Sequence, residues 1–369
     1  MVYVTLQSVG EGQAGYTHVM EIVKGLRRRG MKVDLLTPRY SASHTPSLIA
    51  RLREMLRVQL IASGKLLLSK IRGRDICLYL RWHFGGVIIV PVALACRVPI
   101  VIEVNGPADD IRHAWPKIGR AGKWLMAIEC WMLRHASRII AVTPGLREWV
   151  LAVTSHCQVD VVPNGADATA FFPTSQASVP RRPYFVFFGA LTRWQGVSTM
   201  LAAAQDNQWP AEVDLVIAGD GSERDLVTAS ETPGGRVKYL GRIPYADIPP
   251  LVRGSVGGLS VQSDFGGRAK TGLSPLKVYE TMASGVPVVG SNQPYLAELI
   301  QKHRCGIVVP PDDPTALASA VRFLFEHRGE AQSMGQRGCA AVRSNYSWDI
   351  RAGDTYKIVL AAWAEARNC

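Results

Sequence analysis

Short apolar runs recur along the chain, separated by longer segments of helical spacing, and this alternation limits the possible folds more than any other feature. Val2–Leu6, Val33–Leu36, Ile76–Leu80, Ile100–Val104, Ile139–Val142 and Val159–Val162 read as strands. Their near-continuous apolar character indicates burial on both faces, as in a parallel sheet covered by helices. The turn Pro163-Asn164-Gly165 and a stretch rich in Ser, Pro and Gln from Pro173 to Pro183 interrupt the series, and the stretch reads as a linker. A second series follows at Tyr184–Phe188, Asp214–Ala218, Val237–Leu240, Gly258–Val261, Val286–Gly290 and Gly306–Val309. Helices are expected between them at Val197–Gln205, Ser222–Ser230, Pro275–Ser284 and Pro314–His327. Two doubly wound α/β domains are therefore predicted, 1–172 and 182–345, with a cleft at the carboxyl ends of their strands. Segment 346–369, carrying Trp348, Tyr356 and Trp363, reads as a helix that packs back on the first domain.

The chain has 369 residues, more than one hydrophobic core usually organises, and 47% hydrophobic content with 20% charge can fill two. Its seven cysteines form no CxxC pair and no zinc-type or disulfide spacing, which fits a reducing cytosol and a cytoplasmic protein. Val2 begins a strand with no basic, apolar and small-residue leader before it, so no export is expected. Val87 to Cys96 and Pro99 to Val104 are too short, and too broken by Pro91, Arg97 and Pro99, for a span of about 20 residues. The formal charge of +12 favours an anionic partner: a nucleotide diphosphate, an acidic membrane surface or nucleic acid. Nucleic acid is disfavoured, because the basic residues are scattered without interleaved aromatic side chains. Arg51 to Arg74 holds seven Lys or Arg against one Glu, with Leu52, Leu56, Leu60, Leu66, Leu67 and Ile71 at helical spacing. It reads either as a helix resting on anionic lipid at the inner face of a membrane or as a surface helix with a solvated basic face.

The segment from Gly266 to Val289 carries the most chemistry: a glycine-rich loop feeds a helix that Gly285 ends. Ser274 suits the N-cap and Pro275 the first helical position, so free N–H groups near 272–277 form an anion site reinforced by the helix dipole. Lys277 falls in the first turn beside that anion. Glu280, about one turn on, can accept two ribose hydroxyls of a ligand whose phosphates occupy the helix start. An ordinary loop and helix with Glu280 as a solvated charge is the plainer alternative.

Several further segments stand in a characteristic order: Gly10-Glu11-Gly12-Gln13-Ala14-Gly15, Glu103-Val104-Asn105-Gly106-Pro107, Ala141-Val142-Thr143-Pro144, Val162-Pro163-Asn164-Gly165-Ala166-Asp167, Gly219-Asp220-Gly221, Leu240-Gly241-Arg242-Ile243 and the Ser-Pro-x-Lys-x-x-Glu helix. Together they resemble the GT4 family of retaining glycosyltransferases across nearly the whole chain. The resemblance implies a GT-B fold, two Rossmann-like domains facing across a cleft. It also implies transfer of a sugar from a UDP- or GDP-sugar to a hydroxyl of a glycan, a lipid-linked saccharide or a small-molecule glycoside, without an obligatory metal or other cofactor.

The resemblance also exposes departures. The family pairs two acidic residues eight positions apart; the second is Glu280, which would bind the donor ribose, but the first falls on Gly272. Donor hydroxyls would then meet N–H groups at Gly272, Leu273 and Ser274. The family's Arg and Lys in the loop after the first strand of the second domain fall on Ala190 and Gln195. A buried diphosphate needs counter-charge, so Lys277 is expected to supply one cation and Arg193, Arg268 or Lys270 another. Arg242 and Ile243 follow a strand end where the family's nucleobase rests against backbone groups.

In the first domain Gly12 and Gly15 precede a helix expected over Tyr16 to Arg29, in a loop that lets the backbone approach the donor. Asn105 stands where many relatives carry an active-site His; an amide can bond a sugar hydroxyl but cannot act as a general base. Catalysis is assigned to Lys277, Asn105 and Glu103, Glu103 either facing outward to the acceptor or inward to a nearby Arg. His18, His83 and His113 are further candidates. The rival readings are a nucleotide-sugar epimerase of the same fold and a catalytically silent partner subunit, the latter motivated by Ala190, Gln195 and Gly272.

Overall fold

In a computed structural model, which describes residues 1–7, 13–39, 47–107, 121–155, 158–174, 182–263 and 268–368, the strands all pair in parallel. The chain divides into one unit of Met1–Pro163 with Asp349–Cys369 and a second of Asn164–Trp348.

The first unit holds β1 (Val2–Thr5), β2 (Asp34–Leu36), β3 (Leu78–Arg81), β4 (Ile100–Val104), β5 (Arg138–Ala141) and β6 (Val159–Val161), in the order β2-β1-β3-β4-β5-β6. β1 sits between its partners, with Val2 opposite both Asp34 and Leu78. Val4, Leu80, Ile102 and Ile139 fill a core against α2 (Leu48–Ile71) and α3 (Ile89–Ala95), while α1 (Ala14–Arg28) buries Val19, Ile22 and Leu26 outside that cluster. The chain returns to this unit through the helix Trp348–Asn368, which begins two residues later than the sequence suggests because Val342–Tyr346 form a π-helical turn. Asp349 takes Arg29 at 3.0 Å, and a Cβ on Gly25 of α1 would lie 2.3 Å from the Ala352 methyl. Only glycine lets the two helices approach so closely.

The second unit holds β7 (Tyr184–Ala190), β8 (Asp214–Asp220), β9 (Val237–Tyr239), β10 (Gly257–Ser260), β11 (Val288–Ser291) and β12 (Gly306–Val309), in the order β12-β11-β10-β7-β8-β9. Ile100–Val104 and Gly306–Val309 have the bounds read from sequence, and most other strands shift by one or two residues. β7 and β8 run two residues further than apolar character suggests, because Gly189 pairs with Gly219 and Ala190 with Asp220. Gly219, at φ +151°, permits this: a Cβ there would be 1.8 Å from Gly189 O. The first-domain boundary at 172 is corrected to Pro163. Ala166 accepts from Trp348 N and donates to Tyr346 O, both at 3.0 Å, and Phe171 is buried in the second unit's core.

Candidate active site

The helix Leu276–Ala283 is buried along its whole length, and at its exit Gly285, at φ +73°, donates its N–H to Met282 O while Val286 N donates to Thr281 O, satisfying the last carbonyls. Its start lies one residue later than expected. Pro275, with ψ 132°, takes the capping position, and Val278 N bonds back to Pro275 O at 3.1 Å. Ser274 does not cap: its Oγ is 2.9 Å from Tyr279 Oη and accepts from Asn164 N, while Asn164 Nδ2 donates to Ser274 O at 2.6 Å. The Ser274 hydroxyl thus ties the loop to the helix, and the helix start presents the backbone N–H groups of Leu276 and Lys277.

Lys277 is only 7% exposed. Its Nζ donates to Gln195 Oε1 at 2.9 Å and lies 3.7 Å above the Phe187 ring. A Cβ on Gly189 would be 3.4 Å from that ammonium, so the bare strand end of β7 leaves room for it. Gln195 is itself buried and sits 3.5 Å from Gln262 Nε2, which donates to Ser260 Oγ. The Lys277 ammonium thus meets Gln195, the position in the loop after β7 at which the sequence departs from a basic residue. Burial lowers the Lys277 pKa to about 7, against the attraction of Glu280. Burial likewise raises Glu280 to about 7, although Tyr245 Oη donates to its Oε1 at 2.7 Å and Lys277 opposes the rise. Two groups that ionise near neutrality thus lie about one turn apart on one buried helix.

The remaining candidates in this unit are more scattered. Gly272 is buried at φ +76°, and a Cβ there would lie 2.9 Å from Pro294 O and 3.1 Å from Tyr295 Cβ. Leu273 N donates to Pro294 O at 3.2 Å, so the expectation that this N–H meets donor hydroxyls is corrected. The acidic residue missing at 272 has no room to be restored: Gly272→Glu should destabilise the fold by about 2–4 kcal/mol, from left-handed strain plus overpacking. Urea denaturation checks this, and wild-type stability in the variant would refute it. Arg193, Lys270 and Arg242 are exposed and Ile243 half-buried; among the described residues none of these cations contacts the Lys277–Gln195 pair. The side chain of Arg268 and all of Gly12 lie outside the described residues. Gly15 opens α1, and a Cβ there would meet nothing within 4 Å. Sequence reading missed Tyr245 and Gln262, which join the site across long sequence separations from loops without a motif.

In the first unit Glu103 points inward and is 1% exposed. Its Oε1 lies 2.9 Å from His18 Nε2, 3.5 Å from Arg81 Nη1 and 2.7 Å from Asn105 Nδ2, and its Oε2 accepts from Tyr79 Oη. Burial alone would raise its pKa, but His18, Arg81 and Tyr79 outweigh it and hold the carboxyl well below the usual range. Glu103 is therefore corrected from a catalytic to a positioning residue: enclosed by these partners, it orients Asn105 and His18. His83 is a packed histidine, its Nδ1 accepting from Gly85 N at 3.0 Å, and burial lowers its pKa to about 4. His113 lies outside the described residues. No three His, Cys, Asp or Glu side chains among the described residues converge as a metal site would require.

The surface of α2 is unusual. Val58, Ala62 and Leu66 face the core, so Leu66 leaves the outward set, while Leu52, Leu56, Leu60 and Leu67 are exposed and Ile49 and Ile71 reach 79% and 80%. Arg57 and Lys65 are paired with Glu54 and Asp34 at 2.7 Å, whereas Arg53, Lys70, Arg72 and Arg74 stand exposed. No helix among the described residues is long and apolar enough to cross a membrane.

Comparison with known proteins places the chain. Residues 16–170 match the model of Glycosyltransferase Family 4, and residues 182–327 that of Glycosyl transferases group 1. Glycogen synthase of Mycobacterium tuberculosis is 22% identical over 274 residues, 72% of this chain and 64% of that protein, so the match spans less than two thirds of that relative's length. Phosphatidyl-myo-inositol mannosyltransferase of Mycobacterium leprae is 26% identical over 360 residues, covering 93% and 91% of the two chains. Among solved structures, HepE of Anabaena in complex with UDP-glucose matches with a TM-score of 0.71 at 17% identity, over 98% of this chain and 99% of that one, which is a likeness in fold. The two sheets are those of the GT-B fold, and with one model matching each half, the chain belongs to glycosyltransferase family 4, the group 1 glycosyl transferases.

Proposed function

We propose that the protein transfers a sugar from a UDP- or GDP-sugar to a hydroxyl of a lipid-linked acceptor at a membrane surface, with retention of configuration. The observation that carries this reading is the buried Lys277–Gln195 contact beside Glu280 at the start of one helix. The donor diphosphate sits against the N–H groups of that helix and Lys277, and Glu280 accepts the ribose hydroxyls. As the bond from the anomeric carbon to the phosphate oxygen breaks, the developing negative charge falls on these donors, which are already in place. The acceptor oxygen bonds to the same face of the sugar, and its proton passes to the departing diphosphate, a role Asn105 cannot take. With Lys277 and the helix neutralising the phosphates, no metal is obligatory. The UDP-glucose complex of HepE and the phosphatidylinositol acceptor in the name of the Mycobacterium leprae relative support the donor and acceptor classes.

The apolar stripe and exposed cations of α2 support docking on anionic lipid. Incubated with labelled UDP- or GDP-sugars and bacterial membranes, the protein should move label into the lipid-extractable fraction. Leu52→Glu with Leu60→Glu should lower that incorporation about tenfold or more while leaving nucleotide binding intact, since each places a charge where apolar surface meets lipid. Label appearing only in water-soluble product, or undiminished incorporation by the variant, would refute the lipid acceptor.

A further inference from the structure

We infer a second anion site in the first unit, built to hold a phosphate group, in the cavity between the C-terminal end of α2, the exit of α3 and the returning C-terminal helix. The cavity, about 260 Å³, is lined by Lys70, Arg74, Arg97 and Arg367 against a single carboxylate, Asp75, and by Trp363. Asp75 pairs with Arg367. Lys70, Arg74 and Arg97 have no carboxylate partner among the described residues. Like charges gathered around one hollow repel one another unless an anion enters, and planar guanidinium groups suit phosphate oxygens.

Arg97 adds to the case. It holds the left-handed conformation, φ 56°, after α3, where glycine would be unstrained, and it is among the residues that line the cavity. The residues that shape the cavity precede β3 and β4, whereas Glu103 and Asn105 lie at the carboxyl end of β4, so this site is distinct from the one proposed for sugar transfer. Its ligand is a phosphate monoester or diphosphate, supplied by a lipid headgroup or by a soluble metabolite. Ile71, exposed beside Lys70 at the end of the α2 stripe, brings the site level with any lipid that the stripe meets. The site does not require that contact, however.

The test compares the wild-type chain with Arg74→Ala/Arg97→Gly; glycine suits φ 56°, so folding should be preserved. Glycerol 3-phosphate is titrated in solution with tryptophan fluorescence as readout and Trp363→Phe as control. Sedimentation with phosphatidylcholine vesicles, with and without phosphatidic acid, is the second arm. The double variant should bind about tenfold more weakly wherever the wild type binds, while UDP or GDP binding is unchanged. Loss in the first arm alone identifies a soluble phosphate, and loss in the vesicle arm identifies a headgroup. Binding of neither probe by the wild type, or equal binding by wild type and variant, would overturn the site. Leu52→Glu/Leu60→Glu should leave the glycerol phosphate titration unaltered, which separates this site from docking through α2.

Discussion

Lys277→Met is expected to lower kcat/KM for the sugar donor by about two to three orders of magnitude, equivalent to roughly 3–4 kcal/mol of transition-state stabilisation, without lowering the melting temperature. The two effects separate because Lys277 is costly to the empty protein and valuable to the occupied one. Enclosed over the Phe187 ring, its ammonium gives up hydration and receives one good hydrogen bond, from its Nζ to Gln195 Oε1. Methionine keeps most of the volume and removes that desolvation. A leaving diphosphate reverses the balance by supplying the missing counter-charge. The same reasoning fixes the pH dependence. With Lys277 lowered to about 7, donor affinity should fall as pH rises above 7 and the amine loses its proton. With Glu280 raised to about 7, affinity should also fall below 7 as the carboxylate is protonated. The profile should peak near neutrality, and Lys277→Met should lose the alkaline limb. Steady-state kinetics across pH test this; a variant with wild-type kcat/KM would remove Lys277 from the site.

The second large effect is one of stability. Glu103→Ala should cost about 3–5 kcal/mol, because it leaves Arg81 and His18 buried without their shared carboxylate and Tyr79 without its acceptor. Urea denaturation of the variant measures the loss. Glu103→Gln, which keeps the shape and two polar atoms, should cost less. A loss below about 1 kcal/mol in Glu103→Ala would mean that the network is solvated and Glu103 does not hold Asn105 and His18 in place.

Much of this architecture was legible in the sequence because parallel strands buried on both faces leave short apolar runs between turn signals, as Ile100–Val104 illustrates. The strand ends were less legible. Gly189 and Gly219 look like the start of a loop, yet they continue the ladder because nothing but hydrogen fits between the two backbones. Lys277 and Glu280 were visible from their place in a glycine-terminated helix that follows a glycine-rich loop. Their companions were not: Gln195 reads as a lost cation, and Tyr245, which hydrogen-bonds Glu280, carries no local signal. Glu103 illustrates the remaining limit. Strand periodicity places a side chain on one face or the other, but whether a carboxylate at a strand end is enclosed depends on residues as distant as His18 and Tyr79.

The most direct test of a nucleotide-diphosphate site at the helix Leu276–Ala283 is thermal unfolding of the purified chain with UDP, GDP and their common sugar derivatives, repeated on Glu280→Ala. One nucleotide class should raise the melting temperature, as ligand binding to the native state must, and the variant should lose the shift. No stabilisation of the wild type by any of these ligands, or an equal shift in Glu280→Ala, would contradict it.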